Sequence, residues 1–513
     1  MTVDVLIFTD CASRAFLRTA GAYTIATVLR KNGYTVQVVD YFLLSGLERA
    51  LATIDKFVGE NTLFVGFATT FMNLSGVHLS ESAKNDKMFS YHGYERTAFV
   101  LGTAALSTRV PVSDNEMDQI RDRIKLRNPK TKLVMGGTKA DNRSQPQIDT
   151  FILGYADNSV IEYTKFLEGK NPFFRYTLNE HHQMIVDHDL DASGYDFVHS
   201  TIEYDESDLI KHNEVLSLEI ARGCIFKCKF CNFRLTGKKK NDYIKDKEVI
   251  YSELMNNYER FGTTKYSFAD DTYNESVQKL EHFAEVFQKL PFKLEFVAYL
   301  RHDLIWRYPE MADILRQSGL KVAMFGIETL NHEAGKIIGK GLPPEKTTEL
   351  LHWLRKEKGW AGNILMNSGF IVGLPTETED TVNKWTEELM DFNYPLDSFL
   401  INPLGITPRS PKLSKSEFDI NYKDYGYYFD PKVSVGWINE HWRIEDVRRL
   451  CTVIDKYATE IGRIKLYGFS TMTLHNYGYT WDDIHNSVSA NYTNSIFYET
   501  VKQADSYYKE LLK

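Results

Sequence analysis

Short apolar runs alternate with amphipathic stretches twice along this chain, and that alternation restricts its fold more than any other feature. In the first run, residues 3–9, 35–42, 63–69, 132–135 and 151–154 read as strands. Residues 20–30, 43–58 and 117–127 between them carry apolar side chains at helical spacing. Asn32-Gly33 is a helix stop. Parallel strands need such crossovers, because a tight turn reverses the chain. The pattern predicts a doubly wound, Rossmann-like α/β domain over residues 1–171. Residues 71–110 interrupt it with mixed polar and small side chains and read as an insertion over the strand tips. Residues 172–213 are polar and acidic and read as a linker. A second alternation then begins, with strands at 215–220, 265–268, 294–299, 322–327, 364–372 and 398–401. Six such units over residues 214–410 predict a partial (β/α)6 barrel. Residues 411–513 are rich in aromatics and helical spacing and read as a small, mostly helical C-terminal domain.

Composition narrows the function classes. Of 513 residues, 43% are hydrophobic and 25% charged, the balance of an ordinary globular chain rather than a disordered one. The net charge of -8 gives no global attraction to nucleic acid or anionic membranes. Lys238, Lys239 and Lys240, with Lys245 and Lys247, read as a solvated basic face. The first ten residues lack a basic leader, and no apolar run reaches the length of a spanning helix. The expectation is a cytoplasmic protein without a membrane partner, whose thiols stay reduced.

Five cysteines cannot staple a chain this long, but Cys224, Cys228 and Cys231 stand within eight residues. Their thiolates converge on one point only if the loop wraps around it. Thiolates suit iron–sulfur clusters and zinc. A four-iron cluster normally takes four cysteines, so three leave one iron open to a small chelating molecule. Structural zinc would need a fourth ligand from elsewhere in the chain. Both metals remain open on this reading.

The CxxxCxxC spacing, with Phe230 directly before the last cysteine, resembles the signature of the radical S-adenosylmethionine (SAM) superfamily. The resemblance runs through residues 215–410. It implies a 4Fe-4S cluster on Cys224, Cys228 and Cys231, with SAM chelating the fourth iron. One electron from the cluster would then cleave SAM to methionine and a 5′-deoxyadenosyl radical. It also implies an electron donor such as flavodoxin or ferredoxin. Asp270 and Asp271, after the second barrel strand, match a segment that approaches the SAM amino group; a helix cap is the alternative for Asp271. Glu328 in Gly326-Ile327-Glu328-Thr329 resembles a SAM-facing glutamate, and Arg301 stands where a cation would meet the SAM carboxylate. Gly369, in the run to Gly373-Leu374-Pro375-Thr376-Glu377-Thr378, would let the backbone approach adenine. Glu377 and Thr378 read as caps of the following helix. Lys340-Gly341 resembles a basic-Gly pair with no assigned role.

A doubly wound domain ahead of such a barrel resembles the cobalamin (B12)-binding-domain subfamily. That likeness implies a corrin on the strand tips, near Gly136 and Gly137 and near Thr69-Thr70. The usual DxHxxG signature is absent, since Asp10-Cys11-Ala12-Ser13-Arg14 has no histidine, and Gly154-Tyr155-Ala156-Asp157 replaces GEGE. The expected activity is cobalamin-dependent methyl transfer to an unactivated centre of a small molecule or peptide. The alternatives are a cobalamin-free radical SAM rearrangement or oxidation, and a zinc-stabilised binding or sensor protein. His78 and His92 read as surface histidines, and Tyr467, His475, Tyr477 and Trp481 mainly as core.

Overall fold

Strand β1 (Val5–Phe8) is apolar at every position and buried at every position, which requires cover on both faces of its sheet. Its sheet also holds β2 (Val36–Val39), β3 (Phe64–Ala68), β4 (Lys132–Gly137), β5 (Thr150–Leu153), β6 (Thr177–Leu178) and β7 (Met184–Val186), in the order β2-β1-β3-β4-β5-β7-β6. All neighbours pair parallel except β6 with β7. Helices Ala20–Lys31, Phe42–Phe57, Asp114–Arg127 and Asp157–Leu167 supply the crossovers. The strand order reverses between β1 and β3, and ligands of such sheets bind in the crevice beyond that point.

This computed structural model describes residues 2–10, 17–68, 114–137, 146–187, 195–233, 242–406, 408, 415–429, 436–463, 469–487 and 491–513. The expected insertion at 71–110, with Thr69-Thr70, Cys11, His78, His92, Lys238 to Lys240 and Tyr467, lies outside them. The chain forms two units, one from Met1–Ser217 with Thr493–Lys513, the other mainly from Leu218–Leu235 and Tyr243–Tyr492. The stretch expected as a linker contains β6 and β7 and extends the first sheet. These strands are two and three residues long, too short for alternation to register.

A buried ionic hub joins the edge of the first sheet to distant segments. The Arg18 guanidinium meets Asp40 at 2.7 Å, donates to Glu214 through Nη2 at 3.2 Å and donates to the Asp208 carbonyl at 2.9 Å. Tyr23 donates its hydroxyl to Asp40. Helix Asn491–Leu511 returns here, its Tyr507 hydroxyl accepting from the Asp40 backbone amide at 3.1 Å. Burial pushes the Asp40 carboxyl up to about 6 against the pull of Arg18. Removing one partner of such a buried network strands the others. Arg18→Ala is therefore expected to destabilise the first unit by about 3–5 kcal/mol. A urea midpoint unchanged from wild type would contradict this.

The second unit runs β8 (Leu216–Glu219), β9 (Lys265–Ala269), β10 (Glu295–Leu300), β11 (Leu320–Glu328), β12 (Leu365–Val372) and β13 (Ser398–Pro403) in sequential order. Strands β9 to β13 pair parallel. Sequential order with helical crossovers is the open form of a (β/α) barrel, as the second alternation predicts. Helix starts are fixed locally: Asp246, Ser276 and Thr378 each accept a backbone N–H with the side chain. Residues after β13, as far as Tyr492, complete this unit, whereas Thr493–Lys513 belong to the first, so the stretch expected as one C-terminal domain is divided. Trp437 donates its indole N–H to the Leu404 carbonyl at 2.8 Å. One expectation fails for a single residue: Lys245 is buried against Glu253 at 3.4 Å, whereas Lys247 pairs with Glu285 at the surface. No helix among the described residues is long and apolar enough to cross a membrane.

Candidate metal and cofactor site at the strand tips

In parallel strands every segment that follows a strand leaves from the same edge of the sheet. The cysteine loop follows β8, Asp270 and Asp271 follow β9, Arg301 follows β10, Glu328 ends β11 and Gly373 follows β12. Residues up to 149 positions apart, from Cys224 to Gly373, thus follow strands at one end of the sheet.

The loop is tied by its backbone. The Cys224 amide donates to the Phe233 carbonyl at 2.7 Å, and the Cys231 amide to the Cys228 carbonyl at 3.1 Å. Lys229 donates its amide to the Ile338 carbonyl, at the end of helix His332–Ile338, and accepts from the Phe418 amide, both at 3.1 Å. Thr272 Oγ1 lies 3.2 Å from Cys224 Sγ, and the Phe226 and Phe233 amides each donate to a cysteine sulfur at 3.4 Å. The Asp271 carboxylate accepts from the Gly223 amide at 3.0 Å and so braces the loop rather than capping a helix. Burial pushes the Cys224 thiol up and the Cys231 thiol up to about 12. A bound metal deprotonates such thiols outright.

Arg301 is buried beside this loop. Its Nη1 donates to Cys228 Sγ at 3.2 Å, and its guanidinium lies 4.2 Å from the centre of the Phe226 ring. Phe230, the aromatic in the motif, is half-buried; Phe226 carries the stacking contact. Asp270 is buried in a different arrangement, with Lys279 at 2.7 Å and the Thr272 amide at 2.9 Å.

Glu328 is set by two backbone distortions. The β11–β12 register slips between Gly326 and Glu328, and Glu328 has φ 73, a left-handed conformation that costs a residue with a Cβ. Lys340 Nζ stands 3.8 Å from its carboxylate and 2.8 Å from the Gly326 carbonyl. A Cβ at Gly326 would meet Glu328 Oε1 at 2.7 Å and Lys340 Nζ at 2.9 Å, so the ends of these two side chains would have to shift. Burial raises the Glu328 carboxyl above its ordinary value, with Lys340 opposing. Lys340 had a sequence signal in its basic-Gly pair but no partner to give it meaning.

Gly369 lies within β12, opposite Gly326 and Leu400. The turn that follows is sealed rather than open: a Cβ on Gly373 would lie 2.7 Å from the Trp437 ring, and Tyr427 donates to the Gly373 carbonyl at 2.8 Å. Thr378 caps the next helix as expected, whereas Glu377 turns inward to Thr329 and the turn's own amides. Trp481 donates its indole N–H to Glu295, at the start of β10, at 2.9 Å and packs edge-on against His475, away from the strand end that Arg301 follows. In the first unit Gly136 and Gly137 end β4, Gly137 with φ 120, so that strand tip carries no side chains.

Residues 218–389 match the profile of the Radical SAM superfamily. The chain carries a radical SAM domain. Among curated proteins, it is 25% identical over 230 residues to the bacteriochlorophyllide d C-12(1)-methyltransferase of Chlorobaculum tepidum, covering 43% of this chain and 48% of that one. It is likewise 25% identical over 163 residues to an uncharacterized methyltransferase of Pyrococcus horikoshii, covering 32% of this chain and 34% of the relative. The chain therefore spans about half or less of the length of these relatives. Among solved structures, the radical SAM methyltransferase TsrM from Kitasatospora setae, with cobalamin and a 4Fe-4S cluster bound, superposes with a TM-score of 0.60 at 15% identity, covering 99% of this chain and all of that one. The cobalamin-dependent radical SAM enzyme OxsB, with aqua-cobalamin and SAM bound, gives 0.53 at 14% identity over 82% of this chain and 56% of its own. These likenesses show a shared fold.

Among the described residues no three His, Cys, Asp or Glu are grouped as ligands of a single metal ion. A 4Fe-4S cluster asks for something else, a separate iron for each thiolate. The donor set fits that demand in kind: three thiols, backbone N–H groups directed at sulfur and one buried cation.

Proposed function

We propose that this chain is a radical SAM enzyme that uses cobalamin to transfer a methyl group to an unactivated centre of a small molecule or peptide. The observation that carries the reading is the loop of Cys224, Cys228 and Cys231, held at the strand tips by backbone bonds and backed by Arg301. When bound, a 4Fe-4S cluster supplies an electron for cleaving SAM, and cobalamin carries a methyl group. The three cysteines hold the cluster. Glu328 and Lys340 offer one anion and one cation at the neighbouring tip, matched to the amino and carboxylate groups of SAM. Asp270, through Lys279 and the Thr272 amide, shapes the segment beneath Cys224. Gly369 gives the adenine side of the site its close backbone approach. Gly136 and Gly137 give a broad flat ring the same access to the first sheet. An external donor such as flavodoxin or ferredoxin delivers the electron.

The test is protein from cobalamin-fed cells, purified without oxygen. Iron, labile sulfide and about one cobalt per chain are expected, with S-adenosylhomocysteine or 5′-deoxyadenosine formed from SAM under a reductant. Zinc without sulfide would overturn the reading. Iron and sulfide without cobalt would overturn methyl transfer alone.

A further inference from the structure

Arg301 makes more contacts to the protein than an arginine reserved for a substrate. Its Nε and Nη2 form a fork on Asp303, at 3.0 and 2.6 Å. Nη2 also donates to the Gly339 carbonyl at 3.2 Å, and Nη1 to Cys228 Sγ at 3.2 Å. Four of its five N–H groups are thus committed. Its backbone is clamped as well: Asn274 accepts from the Arg301 amide at 2.8 Å and donates to its carbonyl at 2.9 Å. The Phe226 ring covers one face of the guanidinium. The cation is fixed, buried and directed at one ligand sulfur.

We propose that Arg301 is a positioning residue that raises the electron affinity of the cluster held at Cys228, with Asp303 as its counterweight. The proposal rests on the radical SAM reading above. A donor to a thiolate draws electron density from the metal, and a fixed positive charge favours the state with one more electron. Hydrogen bonds to sulfur and local charge are both established levers on cluster potential. Burial strengthens each, because little water screens the charge. Asp303 sits on the far side of the guanidinium and cancels part of its field. Removing the cation therefore lowers the potential, and removing the counter-anion raises it. A purely structural brace moves neither in this signed way. An arginine that serves only to bind the SAM carboxylate leaves the SAM-free potential unchanged.

The experiment uses the full chain, reconstituted anaerobically with iron and sulfide, without SAM. The reduction midpoint is read from bleaching of the visible absorbance and from the paramagnetic signal of the reduced state. Arg301→Gln is expected to reduce the equilibrium constant for one-electron reduction roughly tenfold, about 59 mV toward negative potential. Arg301→Lys, which keeps the charge and loses the fork, falls between. Asp303→Asn shifts the midpoint the other way. Coincident midpoints in wild type and Arg301→Gln, both fully loaded with iron, overturn the proposal alone. If Arg301→Gln fails to hold iron, Asp303→Asn decides: a rise supports the proposal, and an unchanged or lower midpoint overturns it. A wild-type chain that takes up no iron–sulfide chromophore overturns both this proposal and the radical SAM reading.

Discussion

Serine in place of Cys224, Cys228 or Cys231 is expected to strip iron and sulfide from the chain and to abolish SAM cleavage. Outer partners of metal ligands already contribute roughly 10–100-fold to affinity, so losing a direct ligand costs at least the upper end. A hydroxyl is a hard, weakly acidic donor and does not replace a thiolate on iron. The fold should survive, because the loop is held through main-chain bonds to Phe233, Ile338 and Phe418 rather than through the sulfurs. Each serine variant should therefore match wild type in far-ultraviolet circular dichroism and urea midpoint while losing its colour. Full metal content and unchanged product formation in all three variants would refute the site.

A second large effect is expected at Glu377, which no chemistry requires. Its carboxylate accepts from Thr329 Oγ1 at 2.8 Å and from the Gly373 and Leu374 amides at 3.1 and 3.0 Å. Its carbonyl accepts from the Trp442 indole at 2.8 Å. Alanine leaves three buried donors without a partner and should destabilise the second unit by about 3 kcal/mol or more. The same residue makes stability depend on pH. Burial pushes the carboxyl from its ordinary 4.5 up to about 7. The unfolded chain loses this proton first, so the contribution is whole below pH 4.5 and is lost as pH rises through 7. The span corresponds to about 3 kcal/mol. Glu377→Gln keeps the shape and an acceptor but cannot ionise. Urea midpoints at pH 5 and 7.5 should fall for wild type and stay level for the glutamine variant, after allowance for groups common to both. Parallel slopes would refute the assignment.

Local chemistry made most of the architecture readable. Strand β1 is a continuous apolar run buried at every position, and helices such as those starting after Asp246, Ser276 and Thr378 carry their own caps. The cysteine spacing was equally plain, because one loop holds all three sulfurs. What stayed hidden depends on long-range partners. Arg301 reads as a strand-end cation, but nothing near it points to Cys228, 73 positions away. Lys340 gains meaning only when the bulge after Gly326 turns Glu328 toward it. Glu377 sits beside a capping threonine and shares its local signal, yet its partners lie on β11's exit and among the aromatics past β13.

The return of helix Asn491–Leu511 to Asp40 bears on how the protein is born. Ribosomes add about 5–20 residues per second, so 467 positions separate the two partners by roughly half a minute to a minute and a half of synthesis. Throughout that interval the nascent first unit shows an uncovered polar edge where Tyr507 and Tyr508 will later dock. The first sheet thus waits for a segment made hundreds of residues later, and premature termination before that helix would release a product recognisable to proteases by the open seam.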